Sequence, residues 1–273
     1  MICRKLLMSL FLLGCLLTAS FGLTAQERPE ESVIQDPSTF LWLGGYGEFR
    51  LTDKLFWSGE LHYRRTEHDG ISFIGRNAQI YNRHGLTYVH SKKFSTTVGG
   101  VLRLNFSPEP GDDRFKGLVL EPRIWHQYVF AVPFDRFMLY HRLRFEHRWS
   151  RSNRKGSDYT FRNRYRYKFY MKIPLNNRKL MSKTYYFSPD VELIMQSGTS
   201  VVDSPFEDLR IYPHFGYIAN SNYAFSLGMM YTTGQLISAG YEFRTRWVLR
   251  MNVYISLDFR KFKEKLPQIN IED

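Results

Sequence analysis

Two neighbouring stretches of the chain, residues 137–149 and 159–173, alternate between two kinds of side chain. One set is almost wholly apolar or aromatic, with His141 and His147 among its members, and the other set is mostly cationic. Because successive side chains on a strand point to opposite faces, a period of two predicts two β-strands, each with one oily face and one charged face. The charged faces carry Arg142, Arg144, Glu146, Arg148, Arg162, Arg164, Arg166 and Lys168.

Both stretches are long for strands. They run for about 13 and 15 residues, whereas strands of globular proteins peak near about 5–6 residues. A soluble sandwich would explain either strand alone, with its charged face in water. A strand that crosses a membrane at a tilt needs about 9–11 residues, and long strands with an aromatic apolar face are typical of membrane-spanning β-barrels. The two stretches therefore predict such a barrel.

The bulk composition narrows the function classes. The chain has 273 residues, and beyond its N-terminal segment it contains no apolar run long enough for a membrane-spanning helix. Aromatic residues make up 16% of the chain, enough to supply the aromatic girdles of a barrel. The formal charge of +12 is spread over one parity of many strands and is not gathered in an arm or helix. We therefore expect no nucleic-acid partner.

Residues 1–25 resemble an export signal. Arg4 and Lys5 precede an apolar run, Leu6–Leu17, and Ala25 closes a stretch suited to cleavage. An alternative is a lipobox ending at Cys15, which would make the protein a lipoprotein. Localisation in the bacterial outer membrane is the expectation that follows from an export signal and a barrel.

Both cysteines of the chain, Cys3 and Cys15, fall inside the predicted signal. Cleavage after Ala25 leaves a chain without a disulfide, a thiol nucleophile or a cysteine metal site. Export through an oxidising periplasm suits a chain of this kind.

Strand patterns follow one another from Thr39 to Phe259, and no helical period interrupts them. We predict an all-β fold, a transmembrane antiparallel up-and-down β-barrel of about 12 strands, and expect an even number. The last two predicted strands, Leu236–Trp247 and Leu249–Phe259, form a hairpin. The four predicted longer loops cover residues 67–75, 107–117, 151–157 and 197–205, and they alternate with short turns. The predicted segments are a signal peptide (1–25), a periplasmic lead-in (26–38), the barrel (39–259) and a polar tail (260–273).

Two short motifs resemble a known family. Trp42-Leu-Gly-Gly-Tyr-Gly-Glu-Phe-Arg50 and Arg142-Leu-Arg-Phe-Glu-His-Arg148 are similar to the uncharacterised exported barrel family that is known as domain of unknown function 2490 and is common in Bacteroidota. The similarity covers residues 42–259. It implies an outer-membrane β-barrel, and it implies no activity, because none is established for that family.

Charged residues of one parity are predicted to face the barrel lumen. Their opposite charges attract across neighbouring strands, and a lumen shielded from water strengthens that attraction if the pairs are hydrogen-bonded. One interpretation is therefore a lumen closed or narrowed by salt bridges. The alternative is an anion-selective diffusion channel for small acidic solutes, since cations outnumber acids. The predicted basic ladder is Arg142, Arg144, Arg148, Arg162, Arg164, Arg166, Arg244 and Arg246, and the predicted lumen acids are Glu60, Glu121, Glu146, Glu192 and Glu242.

A third hypothesis is an enzyme that modifies outer-membrane lipids. None of the eight histidines stands in a recognisable motif with Ser or Asp, and there is no HExxH zinc motif. We therefore predict no catalytic residues, no metal and no cofactor. The expected partners are membrane lipid and small anionic solutes, and the oligomeric state stays open. Gly44, Gly45 and Gly47 resemble a phosphate loop, but no helix follows, so close backbone approach is the better interpretation.

Overall fold

The computed structural model describes residues 32–106, 118–153, 156–201, 204–236 and 239–260. The predicted signal peptide, both cysteines, the loop 107–117 and residues 261–273 lie outside these ranges. Within them, all helix and strand assignments are β. The strands are β1 (Val33–Ile34), β2 (Ser38–Arg50), β3 (Leu55–His68), β4 (Ile71–Ser91), β5 (Phe94–Asn105), β6 (Val119–Pro133), β7 (Met138–Ser150), β8 (Thr160–Pro174), β9 (Thr184–Ser197), β10 (Phe206–Ile218), β11 (Tyr223–Leu236) and β12 (Ala239–Asp258).

The strands form one sheet that closes on itself. From β2 to β12, each strand pairs antiparallel with the next one along the chain. The ring closes where β12 pairs with β2 in parallel, from Arg246 beside Ser38 to Asp258 beside Arg50. The predicted all-β, up-and-down barrel of about 12 strands is therefore confirmed.

The predicted C-terminal hairpin is wrong. β12 is one continuous strand of 20 residues, and Val248, placed between the two predicted strands, is fully buried and pairs with Met230 and Phe40. The segment around Val248 contains no Gly, Pro or Asn that would turn the chain. The closed ring consequently has eleven strands, an odd number, and the two-residue β1 lies along β12 ahead of β2.

The predicted loop 67–75 is also wrong, because strand pairing continues through most of it. His68 pairs with Ile71 across a two-residue turn. Asp69 and Gly70 have φ angles of 49° and 75°, the left-handed values that a type I′ hairpin turn requires. The Asp-Gly pair is the usual signature of that turn, so β3 and β4 extend as a long hairpin.

The two ends of the barrel differ. One end, here called the turn end, carries the connections 51–54, 92–93, 134–137, 175–183 and 219–222. At the other, called the loop end, lie the strand ends on either side of residues 69–70, 106–118, 151–159, 198–205 and 237–238. Because β2 and β12 run parallel, Ser38 lies at the loop end and Asp258 lies at the turn end.

The strands are strongly staggered. The pairing register, followed from Asp258 through β2 and the strands after it, reaches Asp208 on β10. Extending the Leu209–Thr233 register by one residue leads back to β12 at Arg244, about fourteen residues from Asp258. A stagger of this kind requires the strands to tilt relative to the barrel axis. Side chains that are distant in pairing register therefore meet at the same height in the lumen.

Glycine on the inner face makes room for large rings. A Cβ placed on Gly85 would lie 2.9 Å from Cζ2 of Trp125, which is buried in the lumen. At Gly44 a Cβ would lie 2.6 Å from Oδ1 of Asn252 and 3.0 Å from Cε2 of Tyr46. The close approach expected for the glycines of β2 is therefore present at Gly44.

Candidate functional site

Alternation along each strand turns the charged side chains inward. On β7, Arg142, Arg144, Glu146 and Arg148 are buried, whereas Phe145 between them is half-exposed on the outer surface. On the neighbouring strands β6 and β8, the residues paired with these inward positions also point inward, so the charged side chains of all three strands project into the lumen. The lumen is consequently lined with guanidinium and carboxylate groups.

Glu146 is the centre of a charged network across the middle of the lumen. Its carboxylate is fully buried. Oε2 accepts from Nη1 of Arg123 at 2.5 Å and lies 3.5 Å from Nη1 of Arg164. Oε1 accepts from Nη1 of Arg166 at 2.8 Å and from Nη2 of Arg83 at 3.3 Å. These arginines come from β4, β6 and β8, so Glu146 links strands on both sides of β7.

Glu192 and Glu60 extend the network. Oε1 of Glu192 accepts from Nη2 of Arg142 at 2.7 Å and from Nη2 of Arg166 at 2.8 Å. Glu60 accepts from Nη1 of Arg83 at 2.5 Å and from Nη2 of Arg144 at 3.3 Å. Hydrogen-bonded opposite charges of this kind hold a buried network together. We call the network the paired layer; it consists of Glu60, Glu146, Glu192, Arg83, Arg123, Arg142, Arg144, Arg164, Arg166 and Arg210.

Little space remains in and below the paired layer. The cavities beside it measure about 70 Å³ and 40 Å³, room for a few water molecules. Towards the turn end, an apolar cluster fills part of the lumen, with Tyr140 and Tyr170 stacked at 4.7 Å against Val129 and Ala131. Charged pairs and packed side chains together narrow the barrel across its middle.

The lumen widens towards the loop end. A cavity of about 330 Å³ lies there, and we call it the cationic chamber. Among the residues that the structure describes, its wall contains nine arginines and two acids, Glu121 and Glu207. The nine are Arg64, Arg76, Arg103, Arg148, Arg162, Arg164, Arg210, Arg244 and Arg246.

Five of the nine have no carboxylate oxygen within 4.0 Å among the described residues, and we call them the unmatched arginines. Aromatic or neutral polar groups hold several of them instead. The guanidinium of Arg64 lies 3.6 Å from the centre of the Trp42 ring and 4.2 Å from that of Tyr81. Nη2 of Arg162 donates to Oγ of Ser150 at 2.8 Å. The unmatched arginines are Arg64, Arg76, Arg162, Arg244 and Arg246.

Several chamber arginines also have buried nitrogen atoms without a hydrogen-bond partner among the described residues. These atoms are Nε of Arg64, Arg103, Arg148, Arg162 and Arg244. A buried donor without a partner costs free energy. The chamber therefore combines net positive charge with unused donors.

All the predicted site residues except Glu242 belong to the paired layer or line the cationic chamber. Glu242 lies apart, near the loop-end rim, and accepts from Nε2 of Gln35 at 3.1 Å. Arg142, Arg144, Arg166, Glu60, Glu146 and Glu192 belong to the paired layer. Arg148, Arg162, Arg244, Arg246 and Glu121 line the chamber, and Arg164 lines the chamber while also contacting Glu146.

Several lumen residues are not among those predicted from the sequence. Glu207 accepts from Arg164 and Arg148 and is buried. It stands beside a bulge between Phe206 and Asp208, where a simple period of two fails. Arg83 and Arg103 follow the inward parity of β4 and β5, so extending the same alternation to those strands would have identified them.

His214, Ser188 and Asp190 do not have the contacts of a serine–histidine–aspartate triad. His214 Nδ1 lies 3.9 Å from Oδ1 of Asp190, but Oγ of Ser188 donates to that same oxygen at 2.8 Å. A serine nucleophile needs the histidine as its base. His141, which has the outward parity of β7 but is buried by its neighbours, hydrogen-bonds the Tyr167 hydroxyl at 2.7 Å.

Two other features are absent from the part of the chain that the structure describes. No group of three or more His, Cys, Asp or Glu side chains there is placed to hold a metal ion. No helix there is long and apolar enough to cross a bilayer.

The fold and the lumen define a closed β-barrel with a charged interior. Residues 39–242, more than half of the chain, match the family model described as protein of unknown function (DUF2490), and the chain belongs to that family. The match ends inside β12, ahead of most of the closing strand. No curated protein and no solved structure matches the chain.

Proposed function

We propose that this chain is a bacterial outer-membrane barrel whose lumen is closed across its middle and opens at the loop end into the cationic chamber. The observation that carries the closed lumen is the fully buried Glu146 carboxylate with four arginines around it. A water-filled pore would leave such charges solvated. The two cavities beside the paired layer, in contrast, have room for only a few water molecules.

The outer surface supports a membrane location. Large apolar side chains stand exposed around the barrel, including Leu61 and Val98, each 59% exposed, and Phe215, 63% exposed. Soluble monomers rarely expose apolar surface on this scale. Among the described residues, the outward positions of β5 to β12 carry no Asp, Glu, Lys or Arg. Charged side chains on the lipid face of a barrel are destabilising, so this distribution suits hydrocarbon.

Aromatic side chains lie towards both ends of the outer surface. Near the turn end, the rings of Phe94 and Phe130 stack at 4.8 Å. Towards the loop end, Trp149 contacts Phe161 at 5.3 Å, and Trp247 contacts Tyr231 at 5.1 Å. Two aromatic girdles at the membrane interfaces are typical of outer-membrane barrels.

The longer connections indicate the orientation. Outer-membrane barrels keep short turns in the periplasm and longer loops outside, so the cationic chamber would open to the cell exterior. In that orientation Ser38, at the start of β2, would also lie outside, which differs from the periplasmic position predicted for residues 26–38. Labelling of intact cells with an impermeant maleimide tests this: Ser152→Cys should react, and Ser221→Cys at the turn end should not.

Conductance measurements test the closed lumen. Purified protein in planar bilayers should show no discrete openings, while its migration on gels shifts on heating, as expected of a folded barrel. The variant Arg144→Ala/Glu146→Ala/Arg166→Ala, which removes the centre of the paired layer, should conduct. Recovery of the wild-type chain as a soluble protein without detergent would contradict the membrane location.

The excess of cations favours a second candidate, an anion-selective channel. A ring of fixed positive charge lowers the barrier for anions in an open pore. Discrete openings of the wild-type protein, with a reversal potential that indicates anion preference, would replace the closed barrel by this channel.

A further inference from the structure

The described wall of the cationic chamber holds more positive charge than its own acids can neutralise. It has nine arginines and two glutamates, and the unmatched arginines have no carboxylate oxygen within 4.0 Å among the described residues. We propose that the chamber is a binding site for a phosphorylated ligand that carries at least two negative charges. This inference deepens the proposed function by assigning a ligand class to the chamber, but the binding itself does not depend on the membrane.

The guanidinium groups converge on one space from several strands. Arg103 on β5 interacts electrostatically with Arg64 on β3, with Arg162 on β8 and with Arg246 on β12. Like charges that face each other in a partly shielded space repel. An anion placed among them would turn this repulsion into attraction, which gives the chamber its preference for a negatively charged ligand.

Aromatic rings position these cations without neutralising them. Arg64 lies between the rings of Trp42 and Tyr81, and the Arg246 guanidinium lies 5.0 Å from the centre of the Phe40 ring. A cation over a ring face is held by the ring quadrupole, and the edge of the guanidinium keeps its N–H donors. Arginines fixed in this way are pre-organised for an anion.

A phosphate group fits the donors better than a single carboxylate does. The planar arginine fork donates two parallel hydrogen bonds to phosphate or carboxylate oxygens. Five unmatched arginines require several acceptor oxygens and more than one negative charge, which one carboxylate does not supply. The cavity, about 330 Å³, falls within the range of small-ligand sites, roughly 300–1,000 Å³. It therefore accommodates a compact phosphorylated molecule or the phosphate end of a lipid.

The paired layer would keep the ligand in the chamber. Glu207 and Arg164 line the chamber, and Arg164 also contacts Glu146 at the centre of the paired layer. The two cavities beside and below that layer measure about 70 Å³ and 40 Å³. An anion that enters from the loop end is therefore bound and retained, whereas a diffusion channel would pass it on.

Isothermal titration calorimetry on the folded full chain in neutral detergent tests the proposal. Pyrophosphate should bind saturably at low salt, and tighter than citrate, which carries carboxylates only. A second titration uses phosphatidic acid in mixed micelles. If phosphatidic acid binds more tightly than pyrophosphate, the ligand is a lipid phosphate; if it binds more weakly, the ligand is a soluble phosphorylated molecule. Absence of saturable binding for both phosphate probes, or a preference for citrate, would overturn the proposal.

Matched variants connect the binding to the chamber. Arg244→Gln/Arg246→Gln removes two unmatched arginines without leaving a carboxylate unpaired among the described residues, so the barrel should fold, as judged by heat-shifted migration. Its affinity for pyrophosphate should fall at least tenfold. Arg178→Gln, which removes an exposed arginine from the turn end, should bind as the wild type does.

Unchanged affinity in the double variant, or an equal loss in Arg178→Gln, would refute the site. These outcomes are separable from those of the proposed function. A conducting wild-type barrel that binds pyrophosphate through Arg244 and Arg246 overturns the closed lumen and leaves the site. A silent barrel that does not bind the probes overturns the site and leaves the closed lumen.

Discussion

The paired layer and the cationic chamber are built from the same residue type, partly on the same strand, yet they differ in what surrounds it. On β8, Arg166 donates to Glu192 and to Glu146. Arg162, four residues nearer the loop end, donates to a serine. The arginine ladder is regular along the strand, whereas the acids that face it are concentrated at one height.

This difference shows how a barrel can assign two roles to one repeated pattern. Where carboxylates face the ladder, the arginines tie strands together and fill the lumen. Where carboxylates are scarce, the same side chains keep positive charge that is available to bind an anion. The residues on the facing strands therefore decide which role an arginine has. Substitutions in the paired layer should lower stability, whereas substitutions in the cationic chamber should weaken binding without lowering stability.

The largest effect is expected at the centre of the paired layer. Glu146→Gln keeps the shape of the side chain but removes the negative charge shared by four arginines. Removing one partner of a buried ion pair leaves the other charge uncompensated and costs about 3–5 kcal/mol. Unfolding by urea in detergent micelles, followed by the heat-dependent gel shift, should show a loss of this size.

Glu242→Gln is the matched control for that substitution. Glu242 accepts a hydrogen bond from Gln35 near the rim, and the amide can still accept it. We expect a change within about 0.5 kcal/mol, as for surface positions in general. Equal effects of the two substitutions would mean that the paired layer contributes no special stability.

Lysine substitutions at two arginines of β8, Arg166 and Arg162, should differ in their effect on stability, by less than the loss expected for Glu146→Gln. Arg166→Lys replaces a planar fork, which contacts Glu146 and Glu192 together, by a single ammonium group. Loss of one or two charged hydrogen bonds should lower the free energy of unfolding by about 1.5–3 kcal/mol. Arg162→Lys should be close to neutral, because a lysine also reaches a serine hydroxyl. The same urea titration compares them, and a greater loss for Arg162→Lys would reverse the assignment of the two regions.

Much of the fold was predictable because one periodicity governs it. The inward and outward faces of β7 and β8 follow the period of two, and the length of these strands indicates a barrel. Strand number was harder, since the segment around Val248 alternates on both sides and only its pairing with β11 and β2 shows that it is one strand. The turn at Asp69 and Gly70 carried a recognisable signal, an Asp-Gly pair between strands.

The site was predictable in kind but not in arrangement. Sequence parity places Glu146 and Arg166 inside, but the stagger of the strands decides that Arg83 of β4 reaches the same carboxylate. The division into a paired layer and a chamber depends on the heights at which acids and arginines meet, which no single strand specifies. Glu207 was missed because a bulge places it in the lumen against the local alternation.

The smallest expected effect has the opposite sign. Arg244→Gln/Arg246→Gln removes two cations that repel Arg210 and Arg103. The two carboxylates that these cations attract, Asp208 and Glu207, keep their own ion pairs with Arg210, Arg148 and Arg164. Relief of like-charge repulsion should raise the free energy of unfolding by roughly 0.5–1 kcal/mol at low salt. The gain should shrink in 1 M NaCl, where charges are screened over about 3 Å. Urea titrations at both salt concentrations measure this. A loss of stability on removing these two cations would show that the chamber arginines are matched after all, and the contrast between the two regions of the lumen would disappear.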